Sequence, residues 1–165
     1  MSLGEADYTV PKHAVTARLR LVGREPADVL LHLAEGAARH RGRELPSDLL
    51  NQDSAFLPVQ DAAGGEIRLV HRRSLLWVSI AADDERGPDG GASATGADDP
   101  GVTSARVRVL FDDGSELVGS LRWVLPAGQR RVRDYLEQAD TFFPLHVGER
   151  VKLVNRDHVA SVELE

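Results

Sequence analysis

Residues 17–22 read Ala-Arg-Leu-Arg-Leu-Val, and residues 105–110 repeat that pattern as Ala-Arg-Val-Arg-Val-Leu. Two more pairs of matching segments follow in the same order, 56–59 with 142–145 and 67–70 with 151–154. A self-match that keeps its order along the chain indicates a duplicated structural unit. The sequence therefore predicts two copies of one fold.

Alternation of apolar and charged residues predicts how each copy begins. Leu19 and Leu21 fall on one face of an extended segment, and Arg18 and Arg20 fall on the other. This period of two is typical of a half-buried strand. In the second copy, Asp-Asp-Gly-Ser at 112–115 separates two such runs, which is a strong hairpin signal.

A short helix and further extended segments complete each copy. The helix is predicted at 46–52 and at 131–139, and Pro46 and Ser47 suit a helix start. A Phe-x-Pro element then begins an extended segment, because the residue before proline avoids the helical region. Two strands close the copy. The predicted order is β-β-α-β-β, twice.

These segments divide the chain into an N-terminal arm (1–14), a first β-rich repeat (15–81), a flexible acidic linker (82–103) and a second β-rich repeat (104–165). We expect a mainly β protein in which each repeat is a small, strongly bent sheet or barrel with one short helix. A unit of roughly sixty residues buries only about 60% of its unfolded surface and is marginally stable alone. We therefore expect the two repeats to pack together with pseudo-two-fold symmetry, or the chain to pair with another.

Composition narrows the class of protein. The chain has no cysteine, which excludes disulfides and thiolate chemistry and fits a reducing compartment. No apolar run approaches the roughly 20 residues that span a bilayer, and residues 1–14 lack a signal-peptide pattern. The net charge is −6, and residues 83–99 hold six acidic residues against one arginine. We expect a cytoplasmic protein without membrane insertion, and nucleic acid is a disfavoured partner because the overall basic footprint of a duplex-binding domain is missing.

No residue pattern favours catalysis, a metal or a cofactor. The histidines form no His-x-His or His-Glu-x-x-His motif, and His71 is matched by Asn155 in the repeat. Asp112 and Asp113 lie at a predicted hairpin tip, where a turn-forming role accounts for them. Neither a nucleophile elbow nor a phosphate-binding glycine loop is present. We therefore predict a protein that is not an enzyme.

Basic residues that recur in both copies form the first candidate site. They are Arg18, Arg20, Arg68 and Arg72, matched by Arg106, Arg108, Lys152 and Arg156. Because the planar guanidinium fits phosphate or carboxylate, a paired anion site is one hypothesis. The favoured interpretation is a solvated sheet face whose charges blunt edge strands. Two basic stretches, 39–43 and 129–133, either extend an electropositive strip or are loop charges.

The last strand of each copy supplies the second candidate site. Leu76, Val78 and Ile80 fall on one face of the last strand of the first copy, which we predict to be its core face. The matching core positions of the second copy are Ala160, Val162 and Leu164. Trp77 falls on the opposite face, where the repeat has Ser161. We predict that Trp77 faces outward as an interface anchor, since tryptophan is enriched at binding hot spots. Leu75 and Trp123 are further interface candidates, whereas Phe56, Phe142 and Phe143 are predicted core residues.

Residues 107–121 resemble the strand–turn–strand opening of Sm-like small barrels, with an apolar strand, an Asp-Gly turn and a following Gly-x-Leu. The second copy is also similar to an uncharacterised bacterial tandem β-domain pattern that ends in Leu-Val-Asn-x-x-His. The first copy departs from it, with Pro26-Ala27 at the turn and Leu31 in place of Gly119. Sm-like proteins characteristically open with a helix and bind RNA. This chain has its predicted helix between strands and lacks the RNA-contact signature, so the resemblance implies only a small barrel or half-barrel.

The function that these patterns favour is a non-catalytic protein-interaction or scaffold module whose partner is another protein or a second copy. The alternative is an anion-binding module for a nucleotide, a phosphorylated ligand or single-stranded RNA, using the repeated arginines. The two differ in their dependence on salt, because binding to phosphates weakens steeply as salt rises.

Overall fold

The structure is a computed structural model that describes residues 12–35, 44–86, 100–126, 128 and 131–165. The first block of strands consists of β1 (Lys12–Leu21), β2 (Ala27–Ala34), β3 (Phe56–Asp61), β4 (Ile67–His71) and β5 (Leu75–Ala81), with helix α1 (Pro46–Leu50) between β2 and β3. The second block consists of β6 (Thr103–Phe111), β7 (Glu116–Trp123), β8 (Phe142–Val147), β9 (Arg150–Asn155) and β10 (Val159–Leu164), with helix α2 (Val132–Gln138) between β7 and β8. The prediction of a mainly β protein is confirmed. Within the described ranges, no helix is long and apolar enough to cross a membrane.

Among the described residues, each block has five strands, one more than the four of the predicted β-β-α-β-β order. The extra strands are β3 and β8, which contain the Phe-x-Pro elements. Proline cannot donate to a ladder and is usually confined to strand edges, so a full strand was not expected at these elements. Pro58 is accommodated because β3 pairs with β2 only at Gln60 and Asp61, beyond the proline.

All ten strands lie in one antiparallel sheet, in the order β10-β6-β7-β8-β9-β5-β1-β2-β3-β4. The sheet is open, with β10 and β4 at its edges. The two blocks have the same internal strand order. In each, the last strand lies beside the first, and the remaining strands follow in sequence. The blocks meet where β9 pairs with β5. The expectation of two separate small sheets or barrels is thus replaced by one continuous sheet.

The junction between the blocks does not have the predicted pseudo-two-fold symmetry. A two-fold axis brings the same surface of both partners together, so it would pair strands in matching positions, β5 with β10 or β4 with β9. The structure instead pairs the fourth strand of the second block, β9, with the fifth strand of the first, β5. The symmetry prediction is wrong, and the junction is of the head-to-tail kind.

The ladders align the two blocks. In the first block, Phe56 pairs with His71. In the second, Phe142 pairs with Asn155, and the remaining rungs of these two ladders correspond in the same way. The position of β1 differs from the sequence alignment, because Arg18 pairs with Ser79 as Arg108 pairs with Glu163. Arg18 therefore corresponds to Arg108 and not to Arg106.

The core consists of two apolar clusters, one around α1 and one around α2. The predicted core residues Leu76, Val78, Ile80, Phe142 and Phe143 are buried, as expected. Four others are not: Phe56 is 51% exposed and Leu164 is 69% exposed, Ala160 is exposed and Val162 is half-buried. Ala160, Val162 and Leu164 lie on the edge strand β10, and Phe56 lies on β3, next to the edge strand β4.

Parts of the predicted segments lie beyond the described residues. Residues 12–14 of the predicted arm belong to β1, and residues 1–11 lie outside the description. The predicted linker begins with a 3-10 helix at Ala82–Glu85 and ends in Thr103 of β6, while residues 87–99 fall outside. The basic stretch at 39–43 is also outside the described ranges, as are residues 129 and 130.

Candidate functional site

The pairing of β5 with β9, here called the seam, joins the two blocks of the sheet. Its rungs are Trp77–Val154, Val78–Leu153, Ser79–Lys152, Ile80–Val151 and Ala81–Arg150. The ladder continues one step further, because the Ala82 amide donates to the Glu149 carbonyl at 3.0 Å. Since β5 and β9 are far apart in the sequence, the seam joins the two blocks.

Apolar side chains from the second block fill the core of the first. Phe142, Val151 and Leu153 belong to the cluster that also holds Leu50 and Ile80 of the first block. All of them are buried. Burying one large apolar side chain contributes about 1.5–3 kcal/mol, so the first block depends on the second for part of its core.

Two asparagines hold the backbone in register at the seam. The Asn51 side chain, at the end of α1, donates to the Phe142 carbonyl at 3.0 Å and accepts from the Phe142 amide at 2.8 Å. The Asn155 side chain donates to the Leu75 carbonyl at 2.9 Å and accepts from the Asp157 amide at 3.0 Å. The two Asn51 bonds and the bond from Asn155 to Leu75 cross between the blocks and tie their backbones together.

Trp77 lies inside the seam, so the prediction that it faces outward is wrong. Its side chain is 5% exposed, because β9, remote in the sequence, packs beside it. Lys152 Nζ lies 4.0 Å from the centre of the indole ring, a cation–π geometry. Leu75 and Trp123 are also buried, and Trp123 stacks on Tyr135 at 5.4 Å between ring centres. A contact of these residues with another molecule stays a prediction.

A group of cations surrounds Lys152. Burial lowers the pKa of Lys152, and the nearby charges of Arg150, Arg18 and Arg20 lower it further. Arg150 was missed by the sequence reading, because its counterpart in the first copy is Glu66 and the repeat therefore gave no signal. Its Nε donates to the Ser79 hydroxyl at 2.8 Å.

Carboxylates partly neutralise this group. Arg18 lies 3.9 Å from Asp28, and Arg20 lies 3.7 Å from Asp113 at the hairpin tip of the second block. Among the described residues, neither Lys152 nor Arg150 forms an ion pair with a carboxylate. Of the predicted anion-binding residues, the structure thus brings together Arg18, Arg20 and Lys152.

The other predicted anion-binding residues on the strands lie elsewhere and have acidic partners. Arg68 pairs with Asp61 at 3.1 Å. Arg106 and Arg108 both pair with Glu165, at 3.2 Å and 2.9 Å. These residues do not form one anion site with the group around Lys152.

Arg72 and Arg156 serve the ends of the two helices. Arg72 is buried and donates to the carbonyls of Leu49, Ser54 and Phe56 at 2.6–2.9 Å. Arg156 donates to the Ala139 carbonyl at 2.6 Å. A cation that binds the last carbonyls of a helix stabilises it. In both blocks, this arginine donates hydrogen bonds to backbone carbonyls of its own chain.

Glu85 is a buried carboxylate that the sequence reading did not single out. Its Oε2 accepts from the Ser47 amide at 3.2 Å, and its Oε1 has no hydrogen-bond partner within the part of the chain that the structure describes. Burial raises the pKa of Glu85 to about 7, and the charge of Asp48 contributes in the same direction. The sequence placed Glu85 in an acidic linker, where burial could not be foreseen.

No protein-family model, curated protein or solved structure matches the chain. The resemblance to Sm-like barrels therefore stays a prediction. In the part of the chain that the structure describes, no three histidine, aspartate or glutamate side chains come together as a possible metal site. The seam is the feature from which a function can be inferred.

Proposed function

We propose that this protein is a non-catalytic scaffold made of two fused copies of one five-stranded unit, and that the seam is the means by which such units join. The observation that carries the proposal is the seam itself. Three apolar side chains of the second block complete the core of the first, which is the behaviour of an interface between two subunits placed in one chain.

Four local features support a common origin of the two blocks. The strand order inside each block is the same. The pairing of the fifth strand with the first shifts register near Leu21 in the first block and near Val159 in the second. His71 and Asn155 begin matching 3-10 helices and accept from the backbone two residues ahead. The next residues, Arg72 and Arg156, both bind helix ends.

A split protein tests this proposal. Residues 1–93 and 94–165, produced as two chains, are expected to form a 1:1 complex with the circular dichroism spectrum of the intact chain. Leu153→Asp in the second fragment should abolish the complex, because Leu153 packs in the core of the first block. Leu69→Asp in the first fragment is the matched control and should leave the complex intact, because Leu69 lies on the far edge. Fragments that do not combine would refute the proposal.

An anion-binding function is the second candidate, favoured by the cations around Lys152. An anion bound there would relieve the mutual repulsion that helps to lower the pKa of Lys152. Because Lys152 lies over Trp77, binding should change tryptophan fluorescence. Titration with a single-stranded RNA oligonucleotide and with pyrophosphate, at low and high salt, tests this function. A signal that salt abolishes and Lys152→Gln removes would support it, and an unchanged spectrum would exclude it.

A further inference from the structure

The outer edge of the first block exposes apolar side chains that its counterpart buries. On β4, Ile67 is 64% exposed and Leu69 is 68% exposed, and on β3 Phe56 is 51% exposed. The ladders align these three residues with Val151, Leu153 and Phe142. Those are the three side chains that the second block inserts into the core of the first. The first block thus presents the same set of apolar side chains, but within the described chain these side chains have no core to enter.

The outer edge of the second block has an open groove of about 700 Å³ between α2 and β10. Its apolar lining includes Leu136, Val162 and Leu164, and Leu164 is 69% exposed. The corresponding residues of the first block are Leu50, Val78 and Ile80. Those three pack against Phe142, Val151 and Leu153 in one cluster. The groove is therefore the surface that β9 covers in the first block and that nothing in the described chain covers in the second.

We propose that β4 of one molecule pairs with β10 of a second copy of this chain, which repeats the seam between molecules. The inference rests on the proposed fusion of two like units. Transfer of the seam register to these edges predicts the rungs Val70–Ser161, Leu69–Val162, Arg68–Glu163 and Ile67–Leu164. Phe56 then enters the groove beside α2, as Phe142 lies beside α1.

The predicted rungs are chemically complementary. Leu69 and Ile67 meet apolar partners, and directly opposed apolar pairs stabilise antiparallel strands. Arg68, which pairs with Asp61 of its own chain, also meets Glu163, a residue of opposite charge. The next rung would place Glu66 opposite Glu165, but Glu165 is already bound by two arginines of its own chain. A partner of unrelated sequence would have to match both the charge pair and the spacing of the apolar residues, whereas a second copy carries both.

Two differences make this contact weaker than the seam. Where the seam has Leu76 and Trp77, β10 has Ala160 and Ser161, so less apolar surface is buried. No tether links the two molecules, so association also has to offset the loss of free translation and rotation. The contact is head-to-tail, and each added molecule keeps one free β4 and one free β10 until a ring closes. We expect reversible assembly that rises with protein concentration.

Site-specific disulfide formation tests the predicted register, since the chain has no cysteine of its own. Leu69→Cys and Val162→Cys are made as separate proteins, mixed and oxidised. The mixture is expected to give a covalent heterodimer, because directly paired strand residues lie within disulfide reach. Leu69→Cys alone should give none. Val124→Cys, at a residue 62% exposed and away from β4, is the control and should not cross-link to Val162→Cys.

Two outcomes would overturn the inference. A covalent homodimer of Leu69→Cys, with no heterodimer in the mixture, would show that β4 pairs with itself about a two-fold axis. A mixture that stays monomeric up to near-millimolar concentration would show that the two edges do not meet. Either result could coexist with the reassembly of the split fragments, so failure here is distinguishable from failure of the proposed function.

Discussion

The seam and the two outer edges of the sheet present corresponding residues in opposite states. At the seam, Val151, Leu153 and Ile80 are buried between two strands. At the edges, their counterparts Ile67, Leu69 and Leu164 are exposed. The side chains differ little in chemistry, so the presence or absence of a neighbouring strand among the described residues accounts for the difference in burial. Residue type alone therefore does not determine burial in this sheet.

Substitution of equivalent leucines by alanine gives the largest expected difference in stability between the seam and the edge. Leu153→Ala should lower the free energy of unfolding by about 2–5 kcal/mol, because it leaves a cavity in the core of the first block. Leu69→Ala should change the stability of the monomer by no more than about 0.5 kcal/mol. Urea denaturation at low protein concentration measures both values. Equal losses would show that the two positions do not differ as described.

The buried carboxylate beside the seam predicts a dependence of stability on pH. Glu85 has an ordinary pKa of 4.5 that burial raises to about 7. Because the folded state holds this proton more tightly, its contribution is complete below pH 4.5 and is lost as pH rises through about 7. The loss amounts to roughly 3 kcal/mol. Glu85→Gln should raise stability at pH 8 and flatten this part of the curve in urea titrations. An unchanged curve would mean that Glu85 is solvated.

The matched arginines give a smaller contrast. Arg72→Ala should cost about 2–3 kcal/mol, because it leaves buried carbonyls at the end of α1 without a donor. Arg156→Ala should cost about 1 kcal/mol or less, because its partners at the end of α2 can bind water. Thermal unfolding by circular dichroism measures both losses. A larger loss of stability for Arg156→Ala than for Arg72→Ala would contradict this expectation.

The strands were predictable from the sequence where the signal was local. Alternation at Leu19 and Leu21 and the Asp-Gly turn at 112–115 gave β1, β6 and β7. The register of β1 could not be predicted from the sequence, because a shift by two residues keeps every side chain on its own face. Sequence alternation alone therefore could not distinguish Arg106 from Arg108 as the counterpart of Arg18.

The candidate site was less accessible to sequence reasoning, because it depends on strands far apart in the chain. Trp77 was assigned to a solvent face since nothing local showed that β9 lies beside it. All eight basic residues were proposed because each has a basic counterpart in the other copy. Arg18, Arg20 and Lys152 lie close enough for their charges to interact, whereas Arg72 binds a carbonyl at the end of α1, a role that the pattern could not show.

The mass of the intact chain in solution tests most directly whether the seam is used a second time between molecules. In sedimentation equilibrium from micromolar to near-millimolar concentration, we expect the weight-average mass to rise above that of the 18.0 kDa monomer. Leu69→Asp should hold the mass at the monomer value, whereas Val124→Asp should behave as the parent chain does. A parent chain that remains monomeric at every concentration would contradict the account.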